Sequence, residues 1–406
     1  MSDAKVQRAS RADRDGGEVE VFGLGAAPQI PVSVEIPVNV EIPVDNGPIG
    51  DIKLSSNGGR LLVTNYGDNS VSVIDTDTCR VVETIAGVNE PYAIAVSTTE
   101  ADRAYISTVS PAYDSIDVVD TSTNTVVASH SLAFSVSDLT VSPDGKYIYA
   151  SRNGACLADL AVLDTTTGRV EVVDIATAPG ITTECVRVSS DGGRVYVATN
   201  GPSGGRLVVL ATRGQSEKNQ GRSGRTRWRR QNVRYANPSR GKDGRLDLRV
   251  VATVDIGSSV RDVALSPDGT IAYVASCGAD FGAVLDIVDT RTNKITGTRK
   301  IEEIGGLITR LTLSRSGGRA YLVSEDRVTV LSSLTHEVIG SVRSIQPSCV
   351  IESLDGNYLY IADYSGTVTM TSVASTVSGI EDAMHHSEIP TDWLVPELLQ
   401  CEPALA

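Results

Sequence analysis

The chain has 406 residues, a formal net charge of −14, and 41% hydrophobic but only 4% aromatic residues. A core of that composition must be built from Val, Ile, Leu and Ala, and so acidic a chain is not built wholesale for nucleic acid or anionic membrane. No apolar run approaches the ~18 residues of a transmembrane helix, and residues 1–17 are charged without the apolar stretch of a signal peptide, so a soluble cytoplasmic protein is expected.

Residues 1–29 read as a flexible N-terminal segment. Residues 30–44 then alternate apolar and polar positions, with Pro31, Pro37 and Pro43. Proline removes a ladder donor, which suits an outer edge strand and not a central one. The first complete unit follows. It runs Asp51-Ile52-Lys53-Leu54-Ser55, a turn at Ser56-Asn57-Gly58-Gly59, Arg60 to Asn65, Val71 to Thr76, and Arg80 to Ile85. Four short strands separated by turn signals form a single sheet.

The order then recurs. A serine closes the first strand at Ser55, Ser97, Ser142, Ser189, Ser266, Ser314 and Ser353, at intervals of 42, 45, 47, 77, 48 and 39 residues. A four-strand period of roughly 40–50 residues is that of a β-propeller. Asp144-Gly145, Asp191-Gly192, Asp268-Gly269 and Asp355-Gly356 fit hairpin turns. Asp75, Asp120, Asp164 and Asp289 end third strands, where a carboxylate can accept amides of the next turn. The last unit has three strands of its own, near 349–353, 358–362 and 367–373. Its fourth is expected from residues 32–44, which closes the ring. The fold predicted is all-β: a seven-bladed propeller of four-stranded antiparallel blades over residues 30–375.

The second strands include Leu62-Val63-Thr64-Asn65, Tyr196-Val197-Ala198-Thr199 and Tyr273-Val274-Ala275-Ser276. On these the chain resembles the YVTN-repeat β-propellers, over roughly residues 30–375, with a composition like a mycobacterial member. The resemblance implies the fold and leaves activity open. Relatives of that kind include surface proteins, a periplasmic DNA-binding propeller and, more distantly, lactonases and nitrous-oxide-reductase propellers.

The histidines are His130, His336, His385 and His386. Two fall near fourth strands and two in the tail, so they cannot surround a copper centre. The cysteines, Cys79, Cys156, Cys185, Cys277, Cys349 and Cys401, show no Cys-x-x-Cys spacing and read as small apolar residues. Gly201-Pro202-Ser203-Gly204-Gly205 matches the Gly-x-Ser-x-Gly pattern but lies between two blade strands, not at a strand-to-helix elbow.

Counting back four and five residues from each repeat serine reaches the start of each inner strand. The polar residues there are Asp51, Asp138, Glu184, Arg261, Asp262 and Arg310, beside Cys185 and Cys349. They are the ligand-binding candidates at the channel mouth, with interblade pairing as the alternative use of the same groups.

Two segments leave the repeat. Residues 213–249, inserted in the fourth blade, carry twelve Lys or Arg and three Asp or Glu, a local +9 that leaves −23 on the remainder. Within it Arg225, Arg227, Trp228, Arg229, Arg230 and Tyr235 are candidates for an acidic partner or for phosphates and stacked bases. The tail, residues 376–406, holds an apolar cluster around Trp393, Leu394, Val395, Leu398 and Leu399. The sequence thus reads as a non-enzymatic interaction platform, with no metal or cofactor and another protein as partner. The rivals are a nucleic-acid-binding propeller using the insertion and a lactonase-like hydrolase with Asp51, Asp138 and Asp262 at the mouth.

Overall fold

The computed structural model describes residues 39–212 and 247–378, except 45–46, 98, 100–101, 111–112, 279–281, 303 and 305. The described strands form seven four-stranded antiparallel sheets. Blade one comprises Ile49–Leu54, Arg60–Asn65, Ser70–Asp75 and Arg80–Ala86; blade two Ile94–Val96, Arg103–Thr108, Ser115–Asp120 and Thr125–Ser131. Blade three comprises Ser135–Val141, Tyr147–Gly154, Leu157–Asp164 and Val170–Ala176; blade four Thr182–Val188, Arg194–Asn200, Arg206–Thr212 and Leu248–Asp255. Blade five comprises Ser259–Leu265, Ile271–Cys277, Ala283–Asp289 and Lys294–Ile301; blade six Ile308–Leu313, Arg319–Ser324, Arg327–Ser332 and Val338–Arg343. Blade seven joins Pro347–Glu352, Tyr358–Asp363 and Thr367–Ser372 to the early strand Val40–Pro43. A short helix, Val373–Ser378, follows.

The ring closes as the proline-limited alternation predicts. Val40 pairs with Met370 and Pro43 with Thr367, on the outer edge where a missing amide breaks no ladder. Ile42 and Val44 bury against Ile49, Ile52 and Leu61 of blade one and Tyr360, Ala362 and Val368 of blade seven. Fully burying a side chain such as Ile42 is worth about 1.5–3 kcal/mol. The closing strand therefore fills a seam between blades as well as completing a sheet.

The repeat serines have a definite task. The Ser142 hydroxyl accepts the Tyr147 amide at 2.9 Å and donates to Asp144 at 2.8 Å. Ser189, Ser266 and Ser353 make the same two bonds with Arg194 and Asp191, Ile271 and Asp268, and Tyr358 and Asp355. Each serine thus pins the hairpin that follows it. Gly145 within one such turn has φ 73°, and a Cβ there would lie 2.6 Å from Thr99 Oγ1. The third-strand aspartates act as expected: Asp75 accepts the Thr78 amide at 2.9 Å and Asp120 the Ser122 amide at 2.9 Å.

The chain direction sorts the loops. Hairpins after the inner strands gather at one end of the ring. The connectors between blades and the loops after the second strands gather at the other, where the inner strands begin. Gly201–Gly205 is one of these latter loops. A Cβ on Gly205 would meet Ser258 O at 2.3 Å, so its glycines serve close backbone approach to blade five. No helix among the described residues is long and apolar enough to cross a membrane.

Candidate binding site at the channel mouth

The inner strands carry bulges close to their starts, between Val136 and Asp138, Thr183 and Cys185, Val260 and Asp262, Ile308 and Arg310, and Pro347 and Cys349, with a register break between Ile49 and Ile52 in blade one. A bulge re-aims the side chain beside it. In blades one, three and five that side chain is aspartate, and it turns toward the next blade. Asp51 Oδ2 accepts the Ile94 amide of blade two at 3.3 Å, Asp138 Oδ2 the Val186 amide of blade four at 3.0 Å, and Asp262 Oδ2 the Leu311 amide of blade six at 2.9 Å. Each Oδ1 accepts the amide of its own following residue, Ile52, Leu139 or Val263, at 2.9, 2.9 and 2.8 Å.

Cations complete these clamps. Lys53 Nζ donates to both oxygens of Asp51, at 2.9 and 3.0 Å. Arg187 bonds Asp138 with one terminal nitrogen and Asp262 with the other, the latter at 2.6 Å. One guanidinium thus ties blade four to blades three and five. Burial opposes the Asp51 charge, yet Lys53, Arg310 and the Ile94 amide hold its carboxyl below the ordinary range. Asp51, Asp138 and Asp262 are 6%, 4% and 1% exposed. Their oxygens are committed to bonds within and between blades, and among the described residues no three His, Cys, Asp or Glu side chains gather as a metal-holding group.

The other predicted residues sit differently. Glu184 accepts from Thr182 Oγ1 at 2.9 Å. Burial pushes its carboxyl above the ordinary range, against hydrogen bonds from Thr182 and Asn200 and the charge of Arg261. Arg261 buries its Nε without a hydrogen-bond acceptor. Arg310 lies with its Cζ 5.9 Å from the centroid of the Tyr92 ring, and Tyr92 meets Tyr66 edge to face at 6.3 Å. Burial pushes the Cys349 thiol up to about 12 and the Cys185 thiol well up, which removes both as thiolate nucleophiles at neutral pH.

Lys53 and Arg187 were not among the predicted site residues. They lie two places before their repeat serines, where the other blades carry Ala95, Thr140, Ala264, Thr312 and Ile351. The same count, taken at that place, isolates them as its only charges. Asn153 and Asn200 were also missed: each bonds both backbone groups of one residue in the next blade, Thr183 and Val260 respectively. Arg225, Arg227, Trp228, Arg229, Arg230 and Tyr235 lie outside the described residues, as does the tail cluster near Trp393.

Three exposed aromatic residues lie on loops at the mouth end of blades one to three. Tyr92 and Phe134 stand on successive connectors and Tyr113 on the loop between them, at 37%, 38% and 52% exposure. Phe134 also lies beneath the Arg152 guanidinium, 5.3 Å from ring centroid to Cζ. Arg152 is itself buried in a bidentate pair with Asp159, at 2.7 and 2.9 Å. Phe134 thereby rests on a guanidinium that is itself held by two hydrogen bonds.

Comparison with known proteins gives one relative spanning the whole chain. The "Seven-bladed beta-propeller protein Rv1057" of Mycobacterium tuberculosis is 57% identical over 408 aligned residues, covering 99% of this chain and 100% of that protein. A "Seven-bladed beta-propeller protein" of Mycolicibacterium smegmatis is 42% identical over 52 residues, 13% of this chain and 14% of that protein. Among solved structures, Kuenenia stuttgartiensis hydrazine synthase superposes with a TM-score of 0.64 at 20% identity, covering 81% of this chain and 96% of that one. At that identity the likeness is one of fold alone. No family model matches the chain.

Proposed function

This chain belongs to the family of seven-bladed β-propeller proteins, and from that premise we propose that it works as a non-enzymatic platform for another protein, docked on the mouth end of blades one to three. The observation that carries the reading is the arc of Tyr92, Tyr113 and Phe134. Aromatic residues are only 4% of the chain, yet these three are each exposed on loops at one end of the ring. Exposed aromatics bring large apolar area at small entropic cost and concentrate binding energy at protein interfaces. The mouth aspartates speak for the same reading, because their oxygens hold neighbouring blades together and leave little for hydrolytic chemistry.

The test is affinity capture from the native cell with the whole chain and two triple variants. Tyr92→Ser, Tyr113→Ser and Phe134→Ser together should lose the bound protein, with unchanged melting. Leu334→Ser, Leu354→Ser and Tyr358→Ser, at exposed positions of the opposite end, should keep it. Equal recovery by both variants would refute the assignment of the face. Recovery that depends instead on residues 213–249 and vanishes with nuclease would favour a nucleic-acid-binding propeller.

A further inference from the structure

The strand that closes the ring is written twice in the chain. Val40-Glu41-Ile42-Pro43-Val44 repeats, residue for residue, Val34-Glu35-Ile36-Pro37-Val38 six places earlier. Ile30-Pro31-Val32 repeats only its last three residues.

The seat on blade seven shows what such a strand must supply. Val40 to Pro43 pair antiparallel with Met370 to Thr367, and the Val44 amide donates to Gly366 O at 2.8 Å. Ile42 and Val44 are 2% and 5% exposed and enter the core between blades one and seven, with Val40 packed against it. Glu41 and Pro43 stay exposed, and on an outer edge the proline leaves no ladder donor missing. Residues 34–38 carry the same side chain at each of these five places. The offset of six is even, so moving the earlier copy into the seat puts Ile36 and Val38 on the buried face. An odd offset would have turned them to solvent.

With equal side chains in the seat, the connector to blade one is what separates the two registers. From Val44, four residues, 45–48, reach the strand that begins at Ile49. From Val38 the same span would take the ten residues 39–48. Closing a longer loop costs more entropy, but the cost grows only with the logarithm of its length, so the nearer copy is favoured by a small margin.

We propose that residues 34–38 are a second closing strand, which takes the seat on blade seven when residues 40–44 leave it. The exchange keeps the ring closed and lengthens a mouth-end connector from four residues to ten. It involves none of the residues of the aromatic docking face, so either assignment can fail without the other.

Thermal melts of three variants of the full chain test the proposal. Ile36→Asp with Val38→Asp should melt as the wild type does, because the nearer copy is intact. Ile42→Asp with Val44→Asp should melt only slightly lower, because the earlier copy fills the seam. All four substitutions together should melt at least about 4 °C below the Ile42→Asp, Val44→Asp protein, since neither copy can then be buried. A disulfide reads the register directly, because opposed residues of paired strands lie within bridging distance. Glu41 stands opposite Thr369. Glu35→Cys with Thr369→Cys, introduced into the Ile42→Asp, Val44→Asp protein, should therefore give a crosslink between positions 35 and 369 in the peptide map after mild oxidation. Equal melting of the Ile42→Asp, Val44→Asp protein and the fourfold variant, or no crosslink between those positions, would overturn the proposal.

Discussion

Asp51 shows how one side chain couples local geometry to the ring. Its carboxylate accepts an amide from its own strand, an amide from the next blade and both contacts from Lys53. Its folded pKa lies below the ordinary range, whereas the unfolded carboxyl titrates at about 3.9. The unfolded chain then binds more protons between those two values, so stability rises with pH across that window. The contribution is full above the ordinary carboxylate range and is lost as pH falls through it toward the depressed folded value. Asp51→Asn should cost about 1–3 kcal/mol at neutral pH, because it weakens the acceptor of buried donors. Urea denaturation between about pH 6 and pH 3 checks both statements. The gap between wild type and variant should narrow as the pH falls, and a constant gap would remove Asp51 from the account.

At the scale of the element, the closing strand Val40–Pro43 and the interblade clamps divide the work. Deleting residues 1–45 should expose the outer edge of Thr367–Ser372 and uncover the seam that holds Ile49, Ile52 and Val368. Light scattering and thermal melts should then show aggregation and a markedly lower Tm; an unchanged melt would mean that blade seven is stable with three strands. This element was legible in the sequence because Pro37 and Pro43 confine an alternating run to an edge. The repeat serines were legible as a count, although the reason, a hydroxyl shared between a turn aspartate and a strand amide, appears only with coordinates. The clamp residues were half legible. Spacing placed Asp51, Asp138 and Asp262 together on inner strands but could not say that bulges turn them toward the neighbouring blade. Arg187 and Lys53 escaped because their place in the repeat is apolar or neutral in the other five blades, and the count took only the places four and five before the serine.

For the molecule as a whole, the ring separates stability from recognition. Charged groups near the axis fasten blade to blade: Asp51 through the Ile94 amide, and Arg187 between Asp138 and Asp262. On the proposed reading, recognition falls to the exposed aromatic residues at the mouth end of blades one to three. Hydrogen–deuterium exchange of the whole chain, free and bound to its captured protein, tests this division most directly. The account predicts that binding protects residues 87–93, 109–114 and 132–134 and leaves the hairpins at the opposite end unchanged. Protection confined to those opposite hairpins, or to the outer strands such as Val170–Ala176, would contradict it.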